Sequence, residues 1–140
     1  MGAAAVLPIT PAGEVVLVRQ FRPAVRQVIT EIPAGLLDVE GEDALTCATR
    51  ELFEETGYRH TVVEFLAGYY ASVGFTDEYI HLFWAETAEH PEGEPEDGIE
   101  VLLRPLEHMI ASAKSGKIRD VKTAVALLLA DGRARPSATG

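Results

Sequence analysis

Three carboxylates and a guanidinium fall within the six residues Arg50-Glu51-Leu52-Phe53-Glu54-Glu55. On a helix each residue advances by about 100°, which puts Glu55 at about +40° from Glu51, Glu54 at about −60° and Arg50 at about −100°. The acids therefore share one face, with Arg50 on its edge. Like charges at these spacings repel by roughly a few tenths of a kcal/mol per pair, so stability alone gives little reason to gather them beside an apolar stripe. One account is a solvated acidic face in which Arg50 pairs with Glu54. The other is a cation site. Carboxylate oxygens are the ligands that Mg²⁺ or Mn²⁺ takes, and several together can hold more than one ion, bridge phosphate oxygens and lower the pKa of an attacking water. The Gly-rich turn before the helix, close enough to fold back over it, favours the second account.

The elements that must position these residues can be read around them. Residues 42–56 predict a helix: Glu42 and Asp43 suit its positive N-terminal end, and Gly57 supplies a left-handed stop. Ala44, Ala48 and Leu52, with Leu45 alongside, make the core stripe. Upstream, residues 6–10 and the β-branched run within 14–21 predict a hairpin about Pro11-Ala12-Gly13. Residues 28–33 are extended, and 35–41 form a loop. Downstream, strands are expected over 61–70, 78–85 and 99–103, and helices over 105–115 and 120–130. Residues 89–98 are acidic and rich in Pro and Gly, hence an exposed loop. The expected organisation is one domain over 1–132 and a frayed tail over 133–140. Strands around an early helix, with helices at the end, predict an α/β fold, a mixed sheet covered on both faces.

Composition narrows the chemistry. The 140 residues carry a formal charge of −10, which argues against a nucleic-acid partner, since such proteins neutralise phosphates with surplus Lys and Arg. A small phosphorylated substrate stays compatible, because a divalent ion neutralises carboxylates and phosphates together. The single cysteine, Cys47, allows no intrachain disulfide and reads as helix packing. The longest apolar run, 125–130, is too short to span a bilayer, and the first residues lack a signal peptide's basic flank. A soluble cytoplasmic protein without membrane association is expected. His60, His81, His90 and His108 show no metal-ligand spacing.

The stretch from Gly35 through Glu42 to Arg50-Glu51-Leu52-Phe53-Glu54-Glu55-Thr56-Gly57-Tyr58 resembles the Nudix hydrolase signature. It departs by one extra residue between Gly35 and Glu42, in the loop, so the helical acids keep their register. The resemblance implies an α/β/α sandwich and hydrolysis of a nucleoside diphosphate linked to another group, by water attack on phosphorus. Glu51, Glu54 and Glu55 would bind two or more Mg²⁺ or Mn²⁺ ions, and the Ala34 carbonyl would add a ligand. Arg50 would orient the glutamates. Gly35 and Gly57 would serve turn geometry. Glu54 is the candidate base within the signature; Glu96, in the acidic loop 94–98, is the candidate outside it.

Arg19-Gln20-Phe21-Arg22-Pro23-Ala24-Val25-Arg26, followed by Glu31-Ile32-Pro33-Ala34-Gly35, is similar to the ADP-ribose pyrophosphatase branch. That similarity implies that Arg22 and Arg26 approach the substrate's phosphates, with Glu31 near the site. Arg forks suit phosphate oxygens; pairing with the chain's own acids is the competing role. The branch's Ser-Pro-Gly marker reads Ser72-Val73-Gly74 here, with Gly74 and Phe75 expected at the substrate. The missing proline leaves GDP-mannose and other nucleotide sugars open beside ADP-ribose. The branch generally swaps an N-terminal sheet region between subunits to hold the adenine, whereas this chain starts almost at the core fold. A homodimer and the nucleobase pocket stay open together. Two competitors are a nucleoside triphosphate hydrolase and a nucleotide-sugar sensor that binds without turnover.

Overall fold

The computed structural model describes residues 1–133. Seven strands and three helices follow in chain order: β1 (Gly2–Ile9), β2 (Glu14–Arg22), β3 (Gln27–Glu31), β4 (Ala34–Leu36), α1 (Ala44–Thr56), β5 (His60–Tyr70), β6 (Tyr79–Thr87), β7 (Glu100–Pro105), α2 (Leu106–Lys114) and α3 (Val121–Gly132).

The strands form one mixed sheet in the order β3-β2-β1-β6-β5, with β4 added to β1 and β7 to β2. β1 runs parallel to β6 along its whole length, from Gly2↔Tyr79 to Ile9↔Glu86. Its alternating side chains feed two cores, as the period of a strand requires. Ala3, Ala5, Leu7 and Ile9 join Leu17, Ile80, Leu82 and Trp84 under α2 and α3. Ala4 and Val6 join Val16, Phe83 and Ala85 under Cys47, Ala48 and Leu52 of α1. The result is the expected α/β/α sandwich.

The details depart from the sequence reading in four places. β1 begins at Gly2, four residues earlier than expected, because Ala3-Ala4-Ala5 are poor strand formers that burial in the middle of a sheet overrides. The hairpin of β1 and β2 is paired only at its mouth, Ile9↔Val15; beyond it β2 turns to β3 and β7. Residues 34–36, expected to end a strand and open a loop, add a short strand to β1 through Ala3↔Leu36, Ala4↔Gly35 and Ala5↔Ala34. The expected tail is fixed at its first residue, since Arg133 bonds Glu64 at 2.8 Å and stacks over the Trp84 ring. The rest of that tail, 134–140, lies outside the described residues.

Candidate active site

α1 starts two residues later than predicted. Asp43 is its N-cap and accepts from the Thr46 N–H at 2.8 Å. Glu42 is left outside the helix and receives both arms of the Arg50 guanidinium, at 2.7 and 2.9 Å. The core stripe is also rotated: Leu45 is exposed, and Cys47, Ala48, Leu52, Glu55 and Thr56 are the buried residues. Cys47 is packing, as expected, and burial pushes its thiol up to about 11, which keeps it inert.

That rotation carries Glu55 inward, where it is 5% exposed. Its carboxylate accepts from the Ala34 N–H at 3.2 Å and interacts with the neighbouring carboxyl group of Glu51. Burial, reinforced by the charge of Glu51 and of Glu96, pushes Glu55 up to about 8. Burial also raises Glu51, with Glu54 adding to it and Arg50 opposing. Two desolvated carboxylates side by side resist carrying two charges unless a cation joins them. This donor set fits a hard divalent ion. Glu54 is turned elsewhere: half-exposed, it takes a hydrogen bond from Arg50 at 3.0 Å. Among the described residues no three His, Cys, Asp or Glu already converge on one ion position, so Glu54 would have to leave Arg50 to complete the set. Arg50 thus spans Glu42, Glu51 and Glu54.

The two signature glycines have reasons that turn geometry covers only in part. Gly57 does hold a left-handed φ of 81° at the end of α1, and a side chain there would also overlap the Gly93 carbonyl. Gly35 sits in a strand, not a turn, and a β-carbon on it would occupy the space of the Glu51 carboxyl group. The Glu92 N–H donates to the Gly57 carbonyl and the Glu96 N–H to that of Glu55, at 2.8 and 3.3 Å. These bonds bring the acidic loop, Glu96 included, to the C-terminal end of α1.

β4 also borders a cleft of about 410 Å³ that includes Arg22, Gly35, Glu78, Asp120 and Lys122 in its lining. Arg22 grips Glu31 through Nε and Nη2 at 2.7 and 2.9 Å. The Lys122 ammonium completes the cage, 2.8 Å from Glu31 and 3.1 Å from Asp120. Burial pushes Glu31 up, but the Arg22 hydrogen bonds and the Lys122 charge outweigh it and hold Glu31 below the usual glutamate range. Arg22 lines the cleft, and Glu31, buried and outside the lining, stands behind it in the grip of Arg22 and Lys122. Arg26 does not line it: it sits at the exposed turn between β2 and β3 with a φ of 54°, away from the cleft lining. Phe75 is 91% exposed and Gly74 faces open space. The cleft instead takes Ala71 and Glu78 from the two ends of their loop. The sequence reading missed Lys122, which lies 91 residues from Glu31 in the sequence.

The fold, with an Arg-Glu-x-x-Glu-Glu helix laid under a glycine strand, defines the class. The NUDIX domain model matches residues 1–124, and the chain belongs to the Nudix family. An ADP-ribose pyrophosphatase of Bacillus subtilis (strain 168) is 39% identical over 130 residues, covering 90% of this chain and 70% of that one. A GDP-mannose pyrophosphatase of Cronobacter sakazakii (strain ATCC BAA-894) is 37% identical over 137 residues, covering 90% and 71%. A crystal structure of an "ADP compounds hydrolase" superposes with a TM-score of 0.80 over 94% of this chain and 71% of that one, at 22% identity, which speaks to the fold alone. No helix among the described residues is long and apolar enough to cross a membrane.

Proposed function

We propose that this chain is a divalent-metal-dependent pyrophosphohydrolase that cleaves the diphosphate of ADP-ribose or a related nucleoside diphosphate sugar. The products would be a nucleoside monophosphate and a sugar phosphate. The observation that carries the reading is the pairing of buried Glu55 with half-buried Glu51 against Gly35, a donor set that fits a divalent cation. Similarity to an ADP-ribose and a GDP-mannose pyrophosphatase supports the substrate class.

Glu51, Glu54 and Glu55 would hold Mg²⁺ or Mn²⁺ ions, two or more in the family's manner, with the Ala34 carbonyl as a further ligand. Bound there, the ions would neutralise the diphosphate and acidify the attacking water. Arg50 keeps Glu51 and Glu54 oriented through its hydrogen bonds. Arg22, with Nη1 not engaged by Glu31, presents a charged donor to a phosphate in the cleft. Glu54 or Glu96 would take the proton of the attacking water. A homodimer and a cytoplasmic location belong to the same reading. A sensor without turnover fits less well, since every signature glutamate is present.

The test is a panel of nucleotide sugars with Mg²⁺, the products separated by chromatography, using wild type beside Glu54→Gln and Glu55→Gln. AMP and ribose 5-phosphate from ADP-ribose, greatly reduced in both variants, is the expected result. Equal turnover in all three proteins would reject the site.

A further inference from the structure

A second cleft, of about 490 Å³, lies on the α2 and α3 side of the sheet and shares no lining residue with the one that β4 borders. Its floor follows from strand register. Leu17 of β2 faces the core under α2 and α3, so Arg19, two residues on, points the same way. Thr30 of β3 stands opposite Arg19, and on β7 Leu102 and Arg104 stand opposite Leu17 and Val15. Met109 and Ser112 of α2 and the turn 117–119 between α2 and α3 form the wall. Four cations meet here, Arg19, Arg104, Lys117 and Arg119, although the chain as a whole carries −10. Among the described residues no Asp or Glu lines this cleft. Glu100 approaches Arg19 from β7 only to 3.6 Å, and Arg104 donates to the neutral Leu103 carbonyl. Lys117 and Arg119 are exposed and, among the described residues, meet no carboxylate.

We infer that this cleft binds a small molecule carrying two or more phosphate groups, at a site separate from the acidic helix. With 22 Asp and Glu in the chain, carboxylate partners for these cations are plentiful, yet the cleft gathers like charges and leaves them uncompensated. An anion of several charges neutralises such a set. Arginine forks match phosphate oxygens, and a lysine adds a point charge beside them. The hydroxyls of Thr30 and Ser112 supply further donors. The volume falls within the roughly 300–1,000 Å³ of a site for a whole ligand, and Leu17, Leu102, Met109 and Ile118 give the organic part of one an apolar surface to lie on. A nucleic-acid strand fits less well, since it would continue past the cleft over the surface of a strongly acidic chain. The four side chains bring the positive charge themselves, so binding here requires no divalent ion. That separates it from the carboxylate site, and it stands independently of the proposed hydrolysis.

Calorimetry in EDTA, with inorganic pyrophosphate as the probe, tests this. Wild type should bind pyrophosphate, and bind inorganic phosphate more weakly. Lys117→Ala with Arg119→Ala removes two charged donors from an exposed turn. It should weaken pyrophosphate roughly tenfold or more, the scale of a lost charge-assisted hydrogen bond, at an unchanged melting temperature. Lys117→Arg with Arg119→Lys keeps both charges and should keep most of the affinity. Arg22→Ala, in the other cleft, should leave the affinity as it is. In amide correlation spectra, pyrophosphate should shift Thr30 and Arg119 and leave Gly35 and Glu55 in place. A wild type that binds no pyrophosphate, unchanged binding in the double alanine variant, or an equal loss in Arg22→Ala would overturn the inference. A single-stranded oligonucleotide that binds more tightly than pyrophosphate would overturn it in favour of a nucleic-acid surface. So would sedimentation showing a wild-type dimer that the double alanine variant dissociates, since the acids of a second copy would then fill the cleft.

Discussion

Glu51 packs its carboxyl group directly against the α-carbon of Gly35, in space that any side chain on residue 35 would need. The overlapping atoms are the far end of a flexible side chain, so a methyl group at 35 can be accommodated by moving Glu51. Gly35→Ala should therefore spare the fold and damage the site. Displacing a reactive constellation by about 1 Å can cost roughly a hundredfold in rate, and a loss of that order in kcat is expected with a nearly unchanged melting temperature. Thermal denaturation and Mg²⁺-dependent turnover on the same preparation check it. A large drop in melting temperature would show that Gly35 serves the sheet instead.

Gly57 presents the opposite balance. Its φ of 81° disfavours a side chain, and the atom in the way is the Gly93 backbone carbonyl, which has no rotamer to change. Gly57→Ala should destabilise the protein by more than about 1 kcal/mol. It should also loosen the 92–96 loop, whose N–H groups bond the end of α1. Chemical denaturation would give the first effect. Faster amide exchange of Glu92 and Glu96 would give the second, and an unchanged exchange rate there would contradict the coupling.

These two glycines show where the sequence was readable. The signature marked both, and the acids Glu42 and Asp43 at its start, the periodic apolar positions and the terminal glycine made α1 legible as a helix. What each glycine avoids was hidden, because it depends on which distant backbone or carboxylate arrives there. The same holds for β4 and the first half of β1. Three residues and an alanine run carry almost no strand preference, and only their mutual pairing and burial make them strands. The cage of Arg22, Glu31 and Lys122 spans 91 residues of sequence between Glu31 and Lys122. No local pattern could anticipate it, and Lys122 passed unnoticed for that reason. Conversely, Phe75 and Arg26 were expected at the site from their neighbours in sequence, and neither is among the residues that line the cleft.

The cage makes stability depend on pH. Glu31 is held below its usual range in the folded protein, so the unfolded chain binds its proton at a higher pH than the folded one. Its contribution is complete above the ordinary glutamate pKa, about 4.3, and fades as pH falls through the folded value. Glu31→Gln should cost about 2 kcal/mol near neutrality, the scale of a hydrogen bond to a charged group. The gap between wild type and variant should narrow as pH drops below the ordinary glutamate range. Melting curves of both proteins from pH 7 to pH 3 would show it. A gap that stays constant would mean that Glu31 contributes by packing alone.

Glu54 and Glu96 compete for the role of base, and their placements differ in a way that can be measured. Glu54 is on the helix and bonded to Arg50, one turn from Arg50 and beside the Glu51–Glu55 pair. Glu96 reaches the same end of α1 through a backbone bond from an exposed loop. A ligand and a base fail differently. Glu54→Gln should weaken Mn²⁺ binding, read directly by electron paramagnetic resonance without substrate, and lower kcat with it. Glu96→Gln should leave Mn²⁺ binding alone and reduce kcat by about 10²- to 10⁴-fold, the range that general bases contribute. Full activity in Glu96→Gln, together with intact Mn²⁺ binding in Glu54→Gln but no turnover, would reverse the assignment and make Glu54 the base.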